Sequence, residues 1–334
     1  MNARRTSLPA AAAGLLLLLA ACGDPGSGGG TADPTSGGDA SGTVCEPVAG
    51  EQLVVLDDDQ GLQNADNVIP AVNAAAAEAD PGLVPLLDTV SAALDTDTLI
   101  QLNKAVDIDR QTSSEVAQQF VEDEGLAADD AGAGSGTSVV IGAANFSESA
   151  TLSEIYAEVL RSAGYTAEVQ TIGNRETYLP ALQSGQITLT PEYAATLAEF
   201  LNTSANGPDA EPVASGDPDE TVAALTELGT DAGLTFGAVS AAQDQNAFAV
   251  TSEFAEQYDV ATLSDLAEAC GGGVVLAGPA ECPERPFCQI GLEETYGITV
   301  SEFRSYDFGL IGDAVRQGEA SIGLVLSSDG SLAS

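Results

Sequence analysis

The chain carries 51 Asp and Glu side chains, 9 Lys and Arg, and no His. The commonest general base and the Ser-His-Asp and Cys-His arrangements are therefore missing. Paired carboxylates of the glycosidase kind are available among so many acids, but no local motif groups them, and an enzyme is not expected. What remains is the chemistry of recognition. Asn145, Ser147 and Ser149 open a helical run whose first-turn N–H groups can hold an anion, or can simply be capped by those side chains. Arg175, within Gly173-Asn174-Arg175-Glu176-Thr177, opens a second helical run after a turn and is placed for contact with a bound molecule. Zinc has no support without His or a C-x-x-C pair, and Asp57-Asp58-Asp59-Gln60-Gly61 lacks the spacing of a calcium loop. No metal and no cofactor are expected.

The five cysteines divide between two kinds of chemistry. Arg4 and Arg5, the apolar run Leu15–Leu19, and Leu19-Ala20-Ala21-Cys22 read as a secretory leader ending in a small-residue cleavage site. The apolar run is too short to span a bilayer, which takes roughly 20 residues. Cys directly after Leu-Ala-Ala resembles a bacterial lipobox, so residues 1–22 are expected to be a lipoprotein signal peptide. Cys22 would then be the lipidated residue, anchoring the chain to the outer face of the cell membrane. The other four, Cys45, Cys270, Cys282 and Cys288, are an even count in an oxidising compartment, which favours two disulfides among three possible connectivities. Cys282 and Cys288 bracket a short Pro-containing loop and are the first pair expected, leaving Cys45 with Cys270.

The formal net charge of −42 makes nucleic acid and anionic lipid surfaces poor partners. The acids are scattered, as on a solvated surface in salty surroundings, where screening acts over a few ångströms.

These residues need elements to position them. Residues 23–44 are Gly, Ser, Asp, Thr and Pro with little to bury and read as a flexible linker. About 290 residues then remain, enough for two lobes of roughly 100–200 residues. A short strand is expected at 53–56, with helices near 69–79, 83–93, 96–106 and 113–124. Thr112-Ser113-Ser114-Glu115 forms a capping-box signature before Val116, Phe120 and Val121. Small and acidic residues at 127–138 break the pattern as a linker would. From Val139 strands and helices alternate: strands at 139–142, 167–172, 187–190 and 234–238, with helices at 148–163, 176–184, 192–202 and 220–231. The rhythm restarts with strands near 247–250, 273–277 and 321–326 and helices at 252–258, 264–269, 289–296 and 309–317. Such alternation argues an α/β fold in two lobes.

Several stretches are similar, in order, to one family. Ile141-Gly142-Ala143-Ala144-Asn145-Phe146-Ser147-Glu148 is followed by Pro180-Ala181-Leu182-Gln183-Ser184-Gly185-Gln186-Ile187 and by Pro191-Glu192-Tyr193-Ala194-Ala195-Thr196. Leu263-Ser264-Asp265-Leu266, Glu284-Arg285-Pro286, Gly291–Gly297 and Ser328-Asp329-Gly330 continue the order. The set resembles the glycine betaine/choline-type osmoprotectant-binding proteins of ABC importers. That resemblance implies a two-lobed periplasmic-binding-protein fold, type 2-like, with a hinge and an interlobe ligand cleft. It also implies a small-molecule ligand and an ABC permease as partner. Val54-Val55-Leu56-Asp57-Asp58-Asp59 and Leu102-Asn103-Lys104-Ala105-Val106-Asp107 resemble the family's C-terminal part, here at the front. The resemblance therefore implies a circular permutation, with former C-terminal residues 50–126 joined through 127–138. On that reading 45–245 form the first lobe, 246–327 the second, and 328–334 cross back to the first.

The family holds quaternary ammonium in a box of aromatic faces, because the ring quadrupole attracts a cation that has no hydrogen bonds to give. Carried over residue by residue, the resemblance keeps Tyr193 and replaces the other aromatics with Asn246, Leu326 and Asp66. Phe146, Phe248, Phe287 and Tyr306 are possible substitutes. Asp66 and Asn246 suggest a more polar site, for an amine with N–H groups, although an acidic residue equally neutralises a trimethylammonium. Arg285 aligns with the family's E-x-R-P arginine and is the expected carboxylate clamp, since its planar fork suits bidentate binding. Asn145, Phe146, Ser147, Asn174 and Arg175 complete the expected ligand-binding set. The expected function is a lipid-anchored binding subunit for an osmoprotectant such as a quaternary amine or related zwitterion. Alternatives are the same fold serving a non-quaternary amine or amino acid, or a sensory or scaffold lipoprotein.

Overall fold

A computed structural model describes residues 43–333. The leader, Cys22 and nearly all of the expected linker lie outside the described residues. Two sheets organise the rest. Eleven strands run in chain order: β1 (Val44–Cys45), β2 (Leu53–Val55), β3 (Val68–Asn73), β4 (Ser138–Ala144), β5 (Thr166–Gly173), β6 (Leu189–Tyr193), β7 (Leu234–Phe236), β8 (Asn246–Thr251), β9 (Gly273–Gly278), β10 (Val300–Ser305) and β11 (Ile322–Leu326). The first sheet has the order β5-β4-β6-β3-β7, and the second β1-β9-β11-β8-β2 with β10 also paired to β9.

Each sheet is covered on both faces, as βαβ connections require. In the first lobe the helix Ser147–Ser162 buries Leu152, Ile155, Tyr156, Val159 and Leu160 on one face of the sheet, all at most 1% exposed. Their i, i+3, i+4 spacing makes one apolar stripe, and each large side chain so buried contributes about 1.5–3 kcal/mol. The helix Ser113–Asp123 packs beside it and starts at a full capping box between Thr112 and Glu115, as its sequence signature suggests. The opposite face is covered by the helices Arg175–Gln183, Ala194–Asn206 and Pro218–Asp231.

The structure differs from the sequence reading in three places. Residues 68–73 are a strand, with the helix confined to Ala74–Ala79. Every residue of β3 is buried, and a fully buried strand shows no alternation to distinguish it from a buried helix. β3 also carries Pro70 opposite Pro191 of β6, and proline in an inner strand argues against a strand on sequence grounds. Strand β10 was not expected; its mostly exposed or half-buried Val-Ser-Glu-Phe-Arg-Ser lies on the outer side of β9. Finally, β1 and β2 belong to the second sheet, not to a first lobe running from 45 to 245. Leu53–Val55 pair antiparallel with β8, Val44–Cys45 pair with β9, and Cys45 is disulfide-bonded to Cys270.

The described residues therefore begin in the second lobe with β1 and β2, cross to the first through residues 56–67, and return through 237–245. The chain then leaves β11 toward the first lobe, where the turn Gly330–Leu332 packs on Asn103 and Lys104. Among the described residues no helix is long and apolar enough to cross a membrane.

Candidate functional site

Three strands of the first sheet end at one place and each leads directly into a helix. β4 ends at Ala144 and passes through Asn145 and Phe146 into the helix Ser147–Ser162; β6 passes through Tyr193 into Ala194–Asn206. β5 ends at Gly173, whose φ of 112° is open to glycine without strain, and the chain turns there so that Asn174 precedes the helix that starts at Arg175. Ligands of open α/β sheets bind at such carboxyl ends. Here those ends face a cleft of about 820 Å³ between the two sheets. The first lobe supplies Asn145, Phe146, Asn174, Arg175, Tyr178, Tyr193 and Thr196 to its lining; the crossing segments supply Gln63, Asn64, Asp66, Asp244 and Gln245; the second lobe supplies Asn246, Leu326 and Phe287.

The aromatic surface is partial. Phe146 and Tyr193 lie with ring centroids 6.2 Å apart and planes inclined at 33°. Phe146 and Phe287 are both largely exposed, 46% and 43%, because the cleft stands open and they face it from opposite lobes. Phe287 is held there by the Cys282–Cys288 disulfide, which closes a six-residue separation directly beside it. Of the other aromatic substitutes, Phe248 is buried in the second-lobe core, and Tyr306 donates to Glu319 away from the cleft.

Carboxylates dominate the polar part. Glu148, almost fully buried behind the wall, accepts from the Tyr193 hydroxyl at 2.5 Å and from the Asn103 amide at 2.5 Å. The same Asn103 amide donates to the Ser328 carbonyl at 2.8 Å, and the Ser328 hydroxyl donates to Asp244 at 2.9 Å. Burial raises the pKa of Glu148 above its ordinary value, against the hydrogen bonds it accepts. Burial and then the facing Glu148 push Asp244 up to about 7. Asp66 is pushed up to about 6 by burial, although the Thr196 and Ala195 N–H groups and the Arg175 charge pull it down. Desolvation disfavours charge wherever no opposite charge compensates it.

Arg175 is the only basic side chain among the described residues lining the cleft. It forms a two-pronged pair with the fully buried Glu192, at 3.1 and 2.7 Å, and donates to the Thr196 hydroxyl at 2.9 Å. Tyr178 donates to the same Glu192 at 2.8 Å.

Of the residues singled out from sequence, Asn145, Phe146, Asn174, Arg175, Tyr193, Asp66, Asn246 and Leu326 come together around the cleft. Ser147 begins its helix beside the lining without forming part of it. Arg285 is exposed and lies outside the lining: the short disulfide loop turns Phe287 to the cleft and leaves Arg285 in solvent. The expected carboxylate clamp is therefore not in position. The sequence reading did not single out Tyr178, Thr196, Glu199 or Asp244. Asp244 had a signal, two residues before Asn246, but it is one acid among 51.

Two α/β lobes, three crossing segments and a ligand-sized cleft define the class: a two-lobed substrate-binding protein. The family model described as the substrate-binding domain of ABC-type glycine betaine transport systems matches residues 48–123 and 137–334, and the chain belongs to that family. Its members bind a small molecule outside the cytoplasm for a membrane permease and are not enzymes. Among solved structures, the chain is similar to one described as a crystal structure of a glycine betaine/carnitine/choline ABC transporter, at 20% identity. That similarity covers 59% of this chain and 70% of that one, with a TM-score of 0.47. No curated protein matches.

Proposed function

We propose that this chain binds a small ammonium-bearing osmoprotectant in its interlobe cleft and hands it to an ABC permease while tethered by a lipid on Cys22. The observation that carries the reading is the pairing of aromatic faces, Tyr193 and Phe146 with Phe287 opposite, with the carboxylates of Asp66 and Asp244 in one cleft. Aromatic faces and carboxylates attract the same thing, a cation, and in a desolvated site each face is worth up to about 2 kcal/mol. Closing the lobes would bring Phe287 toward Phe146 and give the permease a distinct state to recognise.

A second reading, an amine that keeps N–H groups, is favoured by the hydrogen-bond acceptors of Asp66, Asp244 and Asn246 around the same space. A thermal-shift panel separates the two. Ligand at roughly 100 times its Kd adds about 2.7 kcal/mol to stability. Quaternary ammonium compounds raising the melting temperature while primary amines do not would support the first reading; the reverse would support the second. No shift with any ammonium would remove both.

The front-to-back order of the family motifs is read as a circular permutation. The packing of the turn Gly330–Leu332 against Leu53–Val55 supports it, since permutation asks that segments continuous in the family lie close together here.

A further inference from the structure

We infer that the cleft selects a net cation without a carboxylate, choline-like in charge, over a zwitterion bearing the same ammonium head. The inference rests on the ammonium reading above and narrows it.

A zwitterion needs a place for its carboxylate, and two such places facing the cleft, the N-terminus of the helix Ala194–Asn206 and the Arg175 guanidinium, already hold a carboxylate of the chain. Asp66 Oδ1 accepts from the backbone N–H groups of Ala195 and Thr196, at 2.8 and 3.0 Å. It thereby fills the N-terminus of the helix Ala194–Asn206, the kind of site where a ligand anion would dock. The helix Arg175–Gln183, which also starts at the cleft, carries Glu176 in its first turn, whose charge offsets the positive end of the helix dipole. Arg175 is matched in charge by Glu192, whose two oxygens take its Nε and Nη2 donors. A ligand carboxylate gripped through Nη1 and Nη2 would have to displace the Thr196 hydroxyl, and it would meet a charge already matched by the fully buried Glu192.

The remaining charges in the lining are negative. Asp244 sits in the crossing segment and Glu199 on the helix Ala194–Asn206. In a partly desolvated cleft like charges repel strongly, so a ligand carboxylate is repelled where an ammonium is held. Rejection through a placed repulsive group is a general route to specificity.

The test is calorimetric titration of the full chain with choline and with glycine betaine, which share the trimethylammonium head, on the wild type and on Asp244→Asn. Asn at that position still accepts from Ser328, and the melting temperature of the variant checks that it folds. The expected result is choline binding at least about ten-fold more tightly than glycine betaine, with the ratio shrinking by about three-fold or more in Asp244→Asn. Glycine betaine binding as tightly as choline, or more tightly, overturns this inference and leaves the ammonium reading standing. A choline preference that Asp244→Asn leaves unchanged overturns the role given to Asp244. No binding of either compound, or of any other ammonium, overturns the ammonium reading and this inference with it.

Discussion

The hydroxyl of Tyr193 donates to the carboxylate of Glu148 at 2.5 Å, and both side chains are more than nine-tenths buried. This bond ties the cleft wall to the helix Ser147–Ser162 and, through Asn103 and Ser328, to the segment leaving the second lobe. The ring that lines the cleft is thus fixed by a polar network that joins the first lobe to the segment leaving the second.

Tyr193→Phe keeps the ring and removes the donor. It leaves Glu148 one partner short in a buried site, which should cost about 1–3 kcal/mol. The expected outcome is a clear loss of stability in urea unfolding, with ligand affinity changed only a few-fold.

How much of this was legible in the sequence depends on whether the signal is local. The helix Ser147–Ser162 was legible because Leu152, Ile155, Tyr156, Val159 and Leu160 recur at helical spacing. The Thr112–Glu115 capping box was legible because its two members are three residues apart. Strand β3 was not, because all its residues are buried and it contains Pro70. The Arg175–Glu192 pair and the Glu148–Tyr193 bond join residues 17 and 45 positions apart, and no periodicity announces a partner at that distance. Arg285 failed for a related reason: its place in a motif says nothing of which way a disulfide-closed loop turns it.

Stability should depend on pH in a direction set by Asp66 and Asp244. Their folded pKa values, about 6 and about 7, lie above the ordinary aspartate value of 3.8. The folded state therefore holds protons that the unfolded chain releases, and stability falls as pH rises through that window. The contribution is fully present below the unfolded value and lost once both groups ionise in the fold; it is on the order of a few kcal/mol. Without ligand, the melting temperature should fall between about pH 4 and about pH 7. Asp244→Asn should flatten that slope, which separates these groups from the general acidity of the surface. Ligand affinity should run the other way, with a cation binding more weakly as the two carboxyls take up protons.

The two disulfides should differ in what they stabilise. Cys45–Cys270 joins residues 225 apart and Cys282–Cys288 residues 6 apart. Loop-closure entropy assigns them about 5 and about 2 kcal/mol respectively. Replacing Cys45 and Cys270 together by Ala should lower the melting temperature more than replacing Cys282 and Cys288 by Ser. The second change frees the loop that carries Phe287, so it should weaken ligand binding out of proportion to its effect on stability. Thermal unfolding and calorimetry on the two double variants check this.

Arg175→Gln leaves Glu192 buried without its counter-charge and should cost about 3–5 kcal/mol, whereas a further Glu192→Gln should restore a large part of that loss. A double-mutant cycle in urea measures the coupling. A negligible coupling would mean that the pair is not formed as described.

The most direct test of the account is calorimetric titration of the full chain with choline, run beside Tyr193→Ala. The account predicts one saturable site in the wild type and a loss of at least about ten-fold in affinity in the variant, as expected for removing one desolvated aromatic face from an ammonium. Absence of binding by choline and every other ammonium, or undiminished affinity in Tyr193→Ala, would contradict it.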